Sequence, residues 1–313
     1  MDQYTARLPM PTDQPPTIDP LAARRWAAMP HPATPWLHEE VARRMAERLP
    51  WIRLPVTRWA HWEPLGGGAQ ARALVAAQYP DAECLEVRAQ AGRVPGAIKV
   101  EATGWWRRFA ASRRAPEVPV LAEPPEAAMH MVWANMLAHH AADPRALMKQ
   151  WLRTLAPDGF VMFSCFGPDT LRELRALYAD LGWPPPTQEY TDMHDWGDQL
   201  AVAGFADPVM DQERITLTFD SPARLLAELR ELGRNLHPGR FAGLRTPAWR
   251  QRLHAALDER LRARADAPLA LSFELIYGHA LKPSAQRKAP REGLTVHRTR
   301  AALRDAPQTP SKS

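Results

Sequence analysis

Cysteine is nearly absent from this chain. Only Cys84 and Cys165 occur among 313 residues, and both lie in apolar runs. So low a count excludes a disulfide framework and predicts two buried thiols in a reducing compartment, the cytoplasm. Also missing is any run of the roughly 18 apolar residues that would span a bilayer. The opening MDQYTARLPM has neither the basic start nor the apolar centre of a signal peptide. A soluble cytoplasmic protein with no membrane association is therefore expected. Metal-ligand spacing is lacking too: His139 and His140 are adjacent, which points them in different directions on a helix, so no metal site is expected.

What is present is a hydrophobic share of 45%, enough for one large α/β domain with appendages. The 32 prolines must sit in loops, tails and element ends. Residues 1–20 are proline-rich and predict a mobile arm, and 21–283 the folded domain. The formal charge of +5 is concentrated near the C-terminus, with Lys282, Arg287, Lys288, Arg291, Arg298, Arg300 and Arg304, so 284–313 reads as a basic disordered tail. A nucleic-acid partner resting on that tail and on Trp105-Trp106-Arg107-Arg108 ranks last among the partners considered.

The most informative stretch is Trp151–Leu181. Asp143 and Pro144 start a helix with Leu147, Trp151 and Leu155 on one face; Pro157-Asp158-Gly159 then turn the chain. Phe160 to Phe166 is apolar on both faces and predicts a central strand. Beyond Gly167-Pro168 a helix carries Leu171, Leu174, Tyr178 and Leu181. Before it, Leu21–Leu49 predicts two helical pieces, the second with Leu37, Val41, Met45 and Leu49 inward. Val56–Trp62 predicts a strand running into Gly66-Gly67-Gly68 and a helix with Leu74 and Val75. Strand, glycine turn and helix suit a cofactor site, and equally a flexible loop. Residues 82–88, 118–121 and 129–133 predict further strands, while 89–117 shows little periodicity. Thr191 or Asp192 caps a helix ending at Gly204, 209–219 predicts a strand, and Ser221-Pro222 opens a helical insertion over about 221–265. Residues 269–281 make the last strand.

From Asp143 to Pro283 the chain resembles the malonyl-[acyl-carrier protein] O-methyltransferases of biotin synthesis, a branch of the class I S-adenosylmethionine (SAM)-dependent methyltransferases. The motifs are Val132-Trp133-Ala134-Asn135, Leu155-Ala156-Pro157-Asp158-Gly159, Phe163 to Arg175 (FSCFGPDTLRELR), Asp192-Met193-His194-Asp195, Gly204 to Pro208, and Tyr277 to Pro283. The resemblance implies a Rossmann-like α/β fold: a seven-stranded, mostly parallel sheet with one reversed strand and helices on both faces. It also implies SAM as co-substrate and an acyl-carrier protein bearing a malonyl group as partner.

The front half departs from that pattern. Where the family has Asp/Glu-x-Gly-x-Gly-x-Gly, this chain has Trp62-Glu63-Pro64-Leu65-Gly66-Gly67-Gly68. Gly66 and Gly68 match the later glycines, Pro64 replaces the first, and Glu63 stands one place from the expected acid. Arg88 takes the aligned place of the ribose-binding acid and cannot accept a ribose O–H. Glu86 lies two residues earlier, and His130 replaces the acid of the fourth strand. The cofactor set implied is Glu63, Gly66, Gly68, Glu86, Glu123 and Asn135. Two buried donors left without acceptors would weaken SAM about a hundredfold. For the acceptor a cation is expected, and His139, His140, Arg234, His237 and Arg240 qualify by sequence position, the alternative being solvated loop residues. Two functions remain open here: methyl transfer to the carboxylate of a malonyl thioester, or a non-catalytic methyltransferase-like binding module.

Overall fold

The computed structural model describes residues 18–29, 34–88 and 118–284. The Trp105–Arg108 cluster, the tail from 285 onward and most of the proline-rich arm lie outside the described residues. The arm's end is an exception to the expected mobility. Ile18 is buried, and Asp19 caps helix α1 (Pro20–Ala27) by accepting from the Leu21 amide at 2.8 Å.

Seven strands form one sheet: β1 (Arg58–Trp62), β2 (Glu83–Val87), β3 (Val120–Leu121), β4 (Met129–Ala134), β5 (Leu155–Phe166), β6 (Ala206–Phe219) and β7 (Leu269–Leu281). Their spatial order is β3-β2-β1-β4-β5-β7-β6, and β7 alone runs antiparallel to its neighbours. One face packs against α2 (Trp36–Ala46), α4 (Ala71–Gln78), α6 (Arg172–Asp180), α8 (Pro222–Leu232) and α9 (Pro247–Arg260). Between α2 and α4 lies a single helical turn, α3 (Pro64–Gly67). The other face packs against α5 (Pro144–Thr154) and α7 (Met193–Ala203).

Local chemistry sets most helix starts. Asp143, Asp192, Ser221 and Thr246 each accept a backbone N–H of the following first turn, and such caps stabilise a helix by about 1 kcal/mol each. Leu37, Val41, Met45 and Leu49 are all fully buried, as their spacing predicts. The centre of the sheet is dense. A Cβ on Gly278 would strike the buried Phe163 ring, so β7 lies against β5 only because that position has no side chain.

Three local expectations need correction. Pro157-Asp158-Gly159 do not form a separate turn; the strand begins at Leu155 and bulges there, with Asp158 at φ +62 and the bulge tied to Lys282 of the β7 end. In α6 the inward residues are Leu174, Leu177 and Tyr178, whereas Leu181 is 38% exposed, because the helix ends at Asp180. The segment from Pro64 to Gly67 is neither an open turn nor a flexible loop but a helical turn packed beneath α2.

Candidate active site

The glycine turn follows β1 at the C-terminal edge of the parallel strands, where open α/β sheets hold their ligands. Glu63 adopts φ +48, and its N–H donates to the Val87 carbonyl at 2.8 Å. Gly67 lies against β4, where a Cβ would come within 2.6 Å of the Asn135 carbonyl oxygen. Gly66 faces open space, with nothing within 4 Å of a built Cβ, and so fits close approach by a ligand. Helix α2 closes the turn from above. His38 Nδ1 donates to the Gly66 carbonyl at 2.7 Å, because a carbonyl only accepts. The Glu39 carboxylate accepts from the Ala69 and Gln70 amides at 2.8 and 3.1 Å. Buried Asn135 donates to the carbonyls of His38, at 2.8 Å, and Gly67, and accepts from the Ser164 hydroxyl at 2.6 Å. Ser164 in turn accepts from the Met136 amide at 3.0 Å. One polar network thus joins α2, the glycine turn, β4 and β5.

Glu63, Gly66, Gly68 and Asn135 are brought together by this arrangement. Glu86 and Glu123 are not. The Glu86 carboxylate is bonded by Arg88 on the same edge of β2, and Glu123 is exposed between β3 and β4. The end of β2 therefore offers a ribose no free carboxylate. Sequence reasoning missed His61, which sits opposite Glu86 and Trp133 in register, is 1% exposed and has no partner for either ring nitrogen. Burial, helped by the positive charges of Arg88 and Arg72, pushes its pKa down to about 3 and keeps it neutral. A polar residue on the inward face of a central strand was the available signal.

On the far side of β4, a 3-10 turn (Ala138–His140) sets the two histidines with ring centroids only 4.0 Å apart, contrary to the expected divergence. His139 Nδ1 accepts from the Phe166 amide at 3.3 Å, so in the neutral ring Nε2 carries the proton, and that buried N–H has no partner. Burial first, then His140 and His38, holds His139 well below the usual histidine value. Phe166 and Tyr190 flank it at ring-centroid distances of 4.7 and 5.9 Å. Burial pushes the Tyr190 phenol up to about 12, so it too stays neutral.

Helix α1 and the 234–240 loop close this corner. Ile18, Ala23 and Leu236 pack together, the Asp19 amide donates to the Leu236 carbonyl at 2.7 Å, and Arg240 pairs with the Asp19 carboxylate at 2.8 Å. Arg240 is therefore a structural tie and not a cation held out for an acceptor. His237 Nδ1 accepts from the Gly239 amide at 2.8 Å, which holds its ring over its own loop. Arg234, though exposed, borders the space behind this corner. It lines a cavity of about 90 Å³ with His140, Phe166, Thr170, Tyr190 and Asn235. A wider hollow of about 680 Å³ lies outside α2, but its charged lining is already paired, Arg43 and Arg44 with Glu40. Among the described residues there is no group of three or more His, Cys, Asp or Glu side chains placed to hold a metal, and no helix is long and apolar enough to cross a membrane.

A sheet ordered β3-β2-β1-β4-β5-β7-β6 with β7 reversed, and a glycine turn leaving β1, defines a Rossmann-like class I methyltransferase fold. No protein-family model matches the chain. It is, however, similar to the malonyl-[acyl-carrier protein] O-methyltransferase of Laribacter hongkongensis, 36% identical over 255 residues, covering 80% of this chain and 84% of that relative. The enzyme of the same name from Gallionella capsiferriformans is 34% identical over 277 residues, covering 87% and 92%. The chain belongs to the malonyl-[acyl-carrier protein] O-methyltransferase family. Among solved structures, the YcgJ protein of Bacillus subtilis aligns with 80% of this chain and 99% of its own at a TM-score of 0.47 and 15% identity. Family membership rests on the sequence relatives.

Proposed function

We propose that this protein transfers a methyl group from SAM to the free carboxylate of a malonyl group carried as a thioester on an acyl-carrier protein. The observation that carries the proposal is identity of 36% over 84% of a relative bearing that activity in its name. The chemistry of the corner beyond β4 and β5 suits it. A carboxylate is already ionised near neutral pH, so its methylation needs no strong general base, and the neutral His139 and Tyr190 are consistent with that. The site must strip water from the carboxylate and align one oxygen with the methyl group, and alignment supplies most of the rate. SAM supplies the electrophilic methyl. Gly66, open to a ligand, and Glu63 beside it fit the methionine part of that donor; the Glu86–Arg88 pair fits its ribose poorly. The net charge of +5 favours encounter with an acidic carrier protein. The two free thiols, Cys84 and Cys165, support a reducing, cytoplasmic setting.

Two features favour a second reading, a methyltransferase-like binding module without turnover. Glu39 takes the amides of Ala69 and Gln70 that a ligand anion would otherwise use, and Arg88 takes Glu86. Incubation with SAM and malonyl-acyl-carrier protein separates the two. Mass spectrometry should find a methyl ester on the carrier-bound malonyl group, and calorimetry should find micromolar SAM binding. No ester, with no heat at millimolar SAM, would leave the binding module.

A further inference from the structure

The 185–190 segment, which contributed no motif to the sequence reading, supplies one side chain with an unanswered hydrogen bond. Gln188 is 2% exposed. Its Oε1 accepts from the Leu236 amide at 3.3 Å, and since an amide N–H only donates, this contact fixes which end of the carboxamide is oxygen. The other end, Nε2, has no partner. Gln188 lines the 90 Å³ cavity, whose other walls include Phe166, Tyr190, Leu232 and Phe273. A single water needs only about 10–15 Å³ on such a measure, so the space takes a group of several heavy atoms.

Arg234 faces the same cavity. Its Nη1 donates to the carbonyls of Arg230 and, at 3.0 Å, Gly233, and its guanidinium lies 5.3 Å from the Trp26 ring centroid. Among the described residues it has no carboxylate partner. A cavity of mixed lining with a buried, unsatisfied amide donor inside and a guanidinium without a carboxylate partner at its exposed rim suits a small anion with oxygen acceptors. Both groups lie beyond the C-terminal ends of β4 and β5, the edge on which the glycine turn also opens.

We propose that Gln188, together with Arg234, selects the acceptor: the Gln188 carboxamide N–H and the Arg234 guanidinium receive the oxygens of the malonyl head, so that a carboxylate-terminated acyl thioester binds and a plain acyl thioester does not. This deepens the proposed function and depends on it only for the identity of the acyl head.

Gln188→Glu is the discriminating variant. It keeps an oxygen for the Leu236 amide and replaces the donor with an acidic oxygen. Malonyl-pantetheine binding by calorimetry and methyl transfer to malonyl-acyl-carrier protein should both be measured. For Gln188→Glu at pH 8, KM should rise at least tenfold with little change in SAM affinity or Tm. The loss should shrink as pH falls, because the protonated carboxyl regains a donor. Arg234→Met should raise KM similarly without that pH signature. Unchanged KM in Gln188→Glu, or equal loss of SAM and acceptor binding, overturns the proposal while leaving methyl transfer standing. Gln188-dependent thioester binding by wild-type protein that forms no ester would instead retain this proposal and remove the proposed function. No thioester binding by wild-type protein overturns both.

Discussion

The glycine turn after β1 and the cavity beyond β5 open on the same edge of the sheet, yet their polar groups are treated in opposite ways. At the glycine turn the chain answers its own groups: His38 takes the Gly66 carbonyl, Asn135 the Gly67 carbonyl, and Glu39 the amides of Ala69 and Gln70. At the cavity, Gln188 Nε2 is buried with no partner, and among the described residues Arg234 has no carboxylate. A buried donor left unanswered costs on the order of 1–3 kcal/mol, and a ligand that supplies the acceptor removes that cost. The difference separates a side whose order is built by the chain itself from a side whose order is completed by what binds there.

Asn135 is the sharpest place to break the first side. Asn135→Ala removes the side-chain donor to the His38 and Gly67 carbonyls and the acceptor of the Ser164 O–H, and should cost about 2–3 kcal/mol in urea unfolding, with SAM binding lost in parallel. Full stability with intact SAM binding would mean that the network does not hold the turn.

A smaller effect of opposite sign is expected at His61. Its folded pKa of about 3 lies below the ordinary 6.5, so the unfolded chain binds a proton that the folded chain refuses between those values. Its contribution is intact above pH 6.5 and is lost as pH falls toward 3. His61→Leu should stabilise the protein by about 1–3 kcal/mol at pH 7, since neither ring nitrogen has a partner, and should flatten the stability profile across that window. A loss of SAM affinity in this variant would instead assign the ring to the ligand.

The smallest effect belongs to the tie that closes the cavity. Arg240→Gln removes the ion pair to Asp19 but leaves the cap of α1 and the Ile18–Leu236 contact. Exposed pairs contribute little to global stability. Hydrogen exchange over Leu21–Ala27 should quicken while Tm stays put, and acceptor KM should rise modestly, with exchange at the glycine turn unchanged.

The sequence carried much of the scaffold because the signals involved are local. Asp143-Pro144, Ser221-Pro222 and Gly204 act within one helical turn, and the inward faces of α2 and β5 follow from spacing alone. The site was less legible because its bonds span the chain. Glu39 reaches Ala69, Asn135 reaches His38, and Gln188 meets Leu236, separations that no periodicity encodes. The rings of His139 and His140 lie together although their backbone spacing points them apart, and the partners packed on them, Phe166 and Trp26, are distant in the sequence.

Strand β7 follows β6 in the chain, yet it lies between β5 and β6 and pairs with both. A growing chain that has not yet released Leu269–Leu281 from the ribosome presents the apolar edge of β5 with nothing to cover it. Helix α2, made much earlier, waits as well, since Arg44 and Arg48 anchor it to Glu213 and Asp211 of β6. A fragment that stops before Leu269 should therefore aggregate more readily than the whole chain, because it leaves an unpaired edge on β5.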